Sequence, residues 1–373
     1  MKTRNTLITI ILPALLLASC TSDKALAPGP SLKNTFINDF LIGTALSANQ
    51  IEEKDSVADV LIREQFNVLT AENIMKSLFL QPEWGKFDFR LADKLIDYGT
   101  KNKMTLVGHT LVWHSQLPRY VHRITDKDSL TEFFTNHITT VAARYDGKIL
   151  GWDVVNEALN EDGTMRESIF YKLLGENYVT EAFRLAQQAA PNTELYYNDY
   201  NIEQPKKRAG AVALIKKIQD ANVRIDGVGI QGHWHAGRIP LKDIEESILE
   251  YSALGLKVMI TELDVELLPR NFTGADISER MKMKDDPAFN PYISGIPDSV
   301  QQQLANDYEA LFKLFLKHKD KITRVTFWGV NDGQSWLNGW PVPGRTNHPL
   351  LFDREFKPKP AFYKVIGTKE NVN

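Results

Sequence analysis

Two glutamates stand where apolar strand patterns run out, and that position makes them candidates for chemistry. Ile149, Leu150, Trp152, Val154 and Val155 have the makeup of a buried strand, and the run closes on Asn156 and Glu157. Val258, Met259 and Ile260 lead in the same way into Thr261, Glu262 and Asp264. In a parallel α/β barrel the carboxyl ends of the strands form the active face. Two carboxylates there are what cleavage of a glycosidic bond requires. Each alone has a plainer reading, as a helix cap or an ion-pair partner.

The other strand ends are just as polar. They bring Glu72 and Asn73, His109 and Trp113, Asn198, Asp199 and Asn201, Gln231 and His233, and finally Trp328 and Asn331. Each polar group costs desolvation unless it is paired, so a core built for stability alone would not gather so many at one end. Asp199 has a plain reading as a cap for the following helix, and His109 or His233 as a satisfied buried histidine. His233-Trp234-His235 has the HxH form of metal-dependent barrel hydrolases, but no further carboxylate and histidine set stands out to complete a metal site.

The elements that must position these residues follow from short apolar runs and from the 3.6-residue period between them. Eight strands are predicted: Leu41 to Leu46, Phe66 to Glu72, Thr105 to Trp113, Ile149 to Glu157, Glu194 to Tyr200, Val228 to His233, Lys257 to Val265 and Arg324 to Val330. Helices are predicted at Ser56 to Glu64, Leu91 to Asn102, Ser129 to Tyr145, Tyr178 to Ala190, Lys206 to Ala221, Leu241 to Leu254 and Val300 to His318. This alternation predicts an α/β fold, a closed (β/α)8 TIM barrel forming one catalytic domain over residues 32–373. An open doubly wound sheet is the alternative, but the first strand, LIGTALS, lacks the GxGxxG turn such a sheet normally carries. Two connections are long. Leu267 to Asp298 holds four prolines, Asn331 to Pro349 is rich in Gly, Pro and Trp, and both are expected to wall a cleft.

The chain has 373 residues and a formal net charge of −3. Near-balanced charge gives no case for nucleic acid or an anionic surface as the main partner. Seven tryptophans suit a ligand with apolar ring faces, such as a sugar, although aromatic residues also fill cores. Residues 1–19 read as a signal peptide, which is expected to take no part in the fold. Lys2 and Arg4 precede the apolar Leu7 to Leu17, and Leu17-Ala18-Ser19-Cys20 resembles a bacterial lipobox, with the protein's one cysteine at the acylation position. The expectation is an exported lipoprotein anchored in a membrane through lipid on Cys20, facing the periplasm or the outside, with residues 20–31 as a tether. A monomer is expected.

The ordered motifs FNVLTAENIMKS, GHTLVWHSQLP, WDVVNEA, YYNDYN, DGVGIQGHW, ITELDV and TFWGVNDGQSW, then LLFD and PKPAF, resemble family 10 glycoside hydrolases, the family of endo-β-1,4-xylanases. The likeness runs from about Leu41 to Phe362. It implies retaining double displacement on xylan and xylo-oligosaccharides, with Glu157 as acid/base and Glu262 as nucleophile, and no metal or organic cofactor. A retaining pair stands roughly 5–5.5 Å apart. Carboxylates that close do not both ionise comfortably, so the acid should hold a proton while the nucleophile is anionic. The resemblance further implies that His233 orients Glu262, that Asp264 fixes His233, and that Asn156 binds the sugar 2-hydroxyl. His109, Trp113, Gln231, Trp328 and Trp336 would line the same subsite. Glu72, Asn73 and Lys76 would bind the neighbouring glycone sugar, and Tyr200 and Asn201 the aglycone side.

Two departures from the family pattern concern the cleft walls. Leu337 follows TFWGVNDGQSW where the family often has Arg, which leaves Arg345 as a possible source of that charge, and Leu267 to Asp298 matches no assigned pattern. The alternatives to a xylanase are an endo-β-1,4-glucanase using the same chemistry and a lipoprotein that binds polysaccharide without cutting it.

Overall fold

In the computed structural model, which describes residues 29–269, 286–341 and 343–369, the strands alternate with helices and run parallel. They are β1 (Leu41–Leu46), β2 (Val68–Ala71), β3 (Thr105–Trp113), β4 (Gly151–Asn156), β5 (Glu194–Asp199), β6 (Gly227–Ile230), β7 (His233–His235), β8 (Lys257–Glu266) and β9 (Ile322–Phe327). β1 to β6 pair in sequence, β6 pairs with β8, β8 with β9, and β9 returns to β1. Among the described residues, eight strands thus close a (β/α)8 barrel, and closure leaves no open edge.

The exception is β7. Gly232, at φ 85°, interrupts the sixth barrel position, and β7 then pairs with the far end of β8, His233 opposite Asp264 and His235 opposite Glu266. The sequence predicts one strand from Val228 to His233. The backbone takes a left-handed step there, which glycine accepts readily.

Helices between the strands cover the barrel's outer face, so the strands are buried on both sides; every residue of β4 is buried. The covering helices are α1 (Ser56–Gln65), α2 (Arg90–Asn102), α3 (Lys127–Tyr145), α4 (Tyr178–Ala189), α5 (Pro205–Asp220), α6 (Leu241–Ala253), α7 (Asp298–Lys317) and α8 (Pro360–Gly367). The seven predicted helices are all present; α8, short and led by Pro360 at its first turn, is additional. Asp55 caps α1 by accepting from the Ala58 amide at 3.0 Å, and Asp126 caps α3 through the Ser129 amide at 2.8 Å. α3 then buries Leu130, Phe133, Phe134, Ile138 and Val141 at helical spacing. Among the described residues no helix is long and apolar enough to cross a membrane.

Candidate active site

Three strands that carry candidate residues also carry irregular register. β3 shifts against β4 between His109 and Val112, β4 against β5 between Asp153 and Val155, and β8 against β9 between Ile260 and Leu263. Such irregularities re-aim side chains that a regular pleat would send elsewhere. Glu157 follows the last residue of β4 at φ 60°, a region non-glycine residues seldom occupy. Its backbone is fixed there, donating to the Asn198 carbonyl at 2.9 Å and accepting from Arg166 Nε at 3.0 Å.

Around the Glu157 carboxylate the donors are neutral. Trp113 Nε1 donates to Oε2 at 2.9 Å, while Gln231 Nε2 and Asn156 Nδ2 donate to Oε1 at 3.1 and 3.2 Å. Glu262, buried on β8, is held differently. Asn198 Nδ2 donates to its Oε1 at 2.8 Å, and His233 Nε2 lies 3.2 Å from its Oε2. Burial pushes the Glu262 carboxyl up, but the His233 hydrogen bond, the charges of His109 and His233, and the Asn198 amide outweigh it, so its pKa is lowered.

His233 is the cation that makes this possible. Burial disfavours its charge, but Asp264 and Glu262 prevail and raise its pKa to about 10. His233 Nδ1 lies 3.1 Å from Asp264 Oδ1 as an ion pair, without the alignment of a hydrogen bond. Asp264 Oδ2 accepts from Trp336 Nε1 at 2.8 Å, and the Trp336 ring meets the imidazole edge-on with centroids 5.1 Å apart. The histidine is thus gripped by two carboxylates and an indole. Among the described residues, no group of three or more His, Cys, Asp and Glu side chains is placed to hold a metal ion.

One amide chain connects the two glutamates. Asn198 Nδ2 donates to Asn156 Oδ1 at 2.9 Å as well as to Glu262, and Gln231 Nε2 donates to Asn156 Oδ1 at 3.2 Å as well as to Glu157. Thr261 Oγ1 donates to Asn198 Oδ1 at 2.6 Å and sets the direction of that amide.

The remaining predicted residues form the walls. An open cleft of about 580 Å³ is lined by Glu72, Asn73, Lys76, His109, Trp113, Asn156, Glu157, Tyr200, Asn201, Gln231, His233, Glu262, Trp328 and Trp336, all predicted from the sequence. Asp264 stands behind His233, and Cys20 lies outside the described residues. Lys76 donates to Asn73 Oδ1 at 3.0 Å and sits 4.6 Å over the Trp113 ring. Burial lowers the Lys76 pKa and raises that of Glu72 beside it. His109 shares a 2.9 Å hydrogen bond with Asp153 and meets Trp328 edge-on at 5.2 Å.

On the opposite side, Tyr200 accepts from Arg166 Nη2 at 3.0 Å and lies under Lys207 Nζ, 3.5 Å from the ring centroid. Asn201 Nδ2 donates to Glu161 at 3.0 Å. Asp199 is not a helix cap; that position before α5 belongs to Gln204. It is fully buried, 3.0 Å from Lys207 and accepting from Tyr197 at 2.6 Å. Burial outweighs Lys207 and raises its pKa to about 7.

Ser115, Gln116 and Trp340 also line the cleft, beyond the residues the sequence predicts there. Asn198 stood among the polar strand ends, but only the strand's facing shows that it, and not Asp199, reaches Glu262. Arg345 does not line the cleft. It is buried, donating to Glu266 and to three backbone carbonyls.

Comparison with known proteins decides the family, because a model of glycosyl hydrolase family 10 matches residues 31–368. The chain belongs to glycosyl hydrolase family 10. As a family 10 member it is a glycoside hydrolase. It is similar to endo-1,4-beta-xylanase A of Xylanibacter ruminicola, 44% identical over 350 residues covering 91% of this chain and 94% of that protein. A beta-1,4-xylanase of Dictyoglomus thermophilum is 39% identical over 339 residues, covering 90% of each. Among solved structures, a GH10 endoxylanase retrieved from a sugarcane soil metagenome superposes with a TM-score of 0.84 at 41% identity, covering 91% of this chain and 99% of that one. A mutant solved in complex with xylotriose gives a TM-score of 0.81 at 33% identity, covering 90% and 99%.

Proposed function

We propose that this family 10 hydrolase cleaves internal β-1,4-xylosidic bonds of xylan with retention of configuration, Glu157 serving as acid/base and Glu262 as nucleophile. The observation that carries the reading is the unequal setting of the two carboxylates. Glu262 is held below the usual carboxylate range by the His233 cation, as an attacking anion needs, whereas Glu157 receives only neutral donors. Glu262 attacks the anomeric carbon while Glu157 gives its proton to the departing glycosidic oxygen, leaving a glycosyl ester on Glu262. Glu157, now anionic, takes a proton from water as that water attacks the anomeric carbon and releases Glu262. Asn156, tied to Glu157 through Nδ2, is the partner we assign to the sugar 2-hydroxyl. Xylan as the polymer is supported by relatives named as xylanases.

We further propose that the protein is exported and held at a membrane by lipid on Cys20, with Leu17-Ala18-Ser19-Cys20 as the supporting pattern, and that it works as a monomer.

The deciding assay is release of reducing ends from xylan and from carboxymethylcellulose, using mature protein from Ser22 onward and its Glu157→Ala variant. Release from xylan alone, lost in the variant, is expected. Preference for carboxymethylcellulose would make the enzyme a glucanase, and xylan binding without release would make it a binding protein.

A further inference from the structure

The stretch after Trp336, where the chain departs from the family pattern, places a further indole on the cleft. Trp340 is 47% exposed yet lines the same cleft as Trp328 and Trp336. Its ring stacks on Trp336, with centroids 6.2 Å apart and planes inclined by 30°. Trp336 holds Asp264 and packs on His233, so Trp340 stands one ring outward from the group that orients Glu262. An indole left half in water adds little to folding, and an exposed aromatic surface beside a binding cleft is a place for a ligand.

The ring's place is set by a buried anchor. Arg345 is 3% exposed, and its Nη1 donates at 3.1 Å both to the Trp340 carbonyl and to Glu266 Oε1. Its Nη2 donates to the carbonyls of Pro269 and Phe289 at 2.9 and 3.1 Å. Glu266 ends β8, the strand that carries Glu262 and Asp264. The guanidinium fork therefore ties the loop bearing Trp340 to the strand bearing the nucleophile. Arginine suits this work, since its five donors are fixed in one plane.

We propose that Trp340 is a substrate-binding residue, stacking its exposed face on a xylose ring at the mouth of the cleft, outside the sugar held at the catalytic carboxylates, with Arg345 as its positioning residue. This rests on the xylan reading above. A pyranose with equatorial hydroxyls presents an apolar C–H face, and the flat, rigid indole meets it at little entropic cost. The contact lies away from the reacting bond and is made equally in ground and transition states, so it contributes to KM and not to kcat.

Steady-state hydrolysis of xylohexaose by the wild type, Trp340→Ala, Trp340→Phe, Arg345→Lys and the Trp340→Ala/Arg345→Lys double variant tests this. For Trp340→Ala, KM is expected to rise about tenfold with kcat within about twofold and Tm unchanged, and Trp340→Phe should recover most of the loss. Arg345→Lys should raise KM in the same way, and in the double variant the two effects should not add, because both act through one ring. Unchanged KM in Trp340→Ala with normal wild-type turnover would overturn this assignment alone, as would a fall of kcat and Tm together. If the wild type neither binds nor cleaves xylohexaose, the xylan reading falls with it.

Discussion

At the residue scale the cleft gives two like side chains, Glu157 and Glu262, unlike neighbours. Asn198 serves both halves, donating to Glu262 and to Asn156 from one amide nitrogen. It is a positioning residue, and Asn198→Ala should lower kcat on the order of 10²-fold while leaving xylo-oligosaccharide affinity nearly intact, a split that kinetics and calorimetry together can read. His233 makes a separate prediction about pH. Its folded pKa of about 10 lies above its ordinary 6.5, so its ion pairs contribute stability in full below about pH 6.5 and lose it as pH rises through about 10. Thermal melts from pH 6 to about 10.5 should show the wild type losing its advantage over His233→Gln across that window. A constant difference between the two proteins would mean that the imidazole is neutral throughout.

At the scale of elements, the active face depends on strands that are irregular at the right points. The shifts in β3, β4 and β8 coincide with His109, Asp153 and Glu262. Glycines make room for bulky neighbours on both faces of the barrel wall, Trp152 against Tyr145 of α3 and Tyr196 among Val68, Val107 and Met259. A Cβ on Gly108 would lie 2.2 Å from Cε3 of Trp152, and one on Gly151 equally close to the Tyr196 ring. The first clash is with a fully buried indole on the strand that leads into Glu157, so it has little freedom to withdraw. Gly108→Ala should therefore destabilise the fold by about 1–3 kcal/mol, read from urea unfolding, and should lower activity as well, because His109 is the next residue. The Asp199–Lys207 pair shows the same dependence on tertiary setting. Both side chains are fully buried and 3.0 Å apart, and the pairing holds Lys207 over the Tyr200 ring on the cleft wall.

At the scale of the whole molecule, closure of β1 onto β9 and of β6 onto β8 brings strand ends from distant parts of the sequence to one rim. The parts that hold Glu262 come from β5, β6 with its extension β7, and the loop after β9, so no fragment of the barrel would keep the site. The net charge of −3 gives the enzyme no electrostatic reason to seek an anionic partner, and a largely neutral polymer suits it. Attachment to a membrane then falls to the proposed lipid on Cys20. Cys20→Ala should shift the protein from the membrane to the soluble fraction while kcat/KM on soluble xylan stays within about twofold, since the barrel is untouched. Equal membrane partition of the variant would remove the lipid from the proposal.

The barrel was legible because strands covered on both faces are written as short apolar runs and their covering helices as periodic ones, both local patterns that survive without coordinates. The place of Glu157 and Glu262 on the cleft was legible because each closes such a run, where a carboxylate costs desolvation unless it is paired. Other features had no local signature. The break at Gly232 that makes β7 a separate strand, the facing of Asn198 toward Glu262 while Asp199 turns to Lys207, and the burial of Arg345 beneath Trp340 all depend on which side of a strand or loop meets which neighbour. Period-two alternation names the two faces of a strand but not which one a bulge or a left-handed residue will turn inward. That choice belongs to the closed barrel, where eight strand ends compete for one small volume and only paired polar groups can share it.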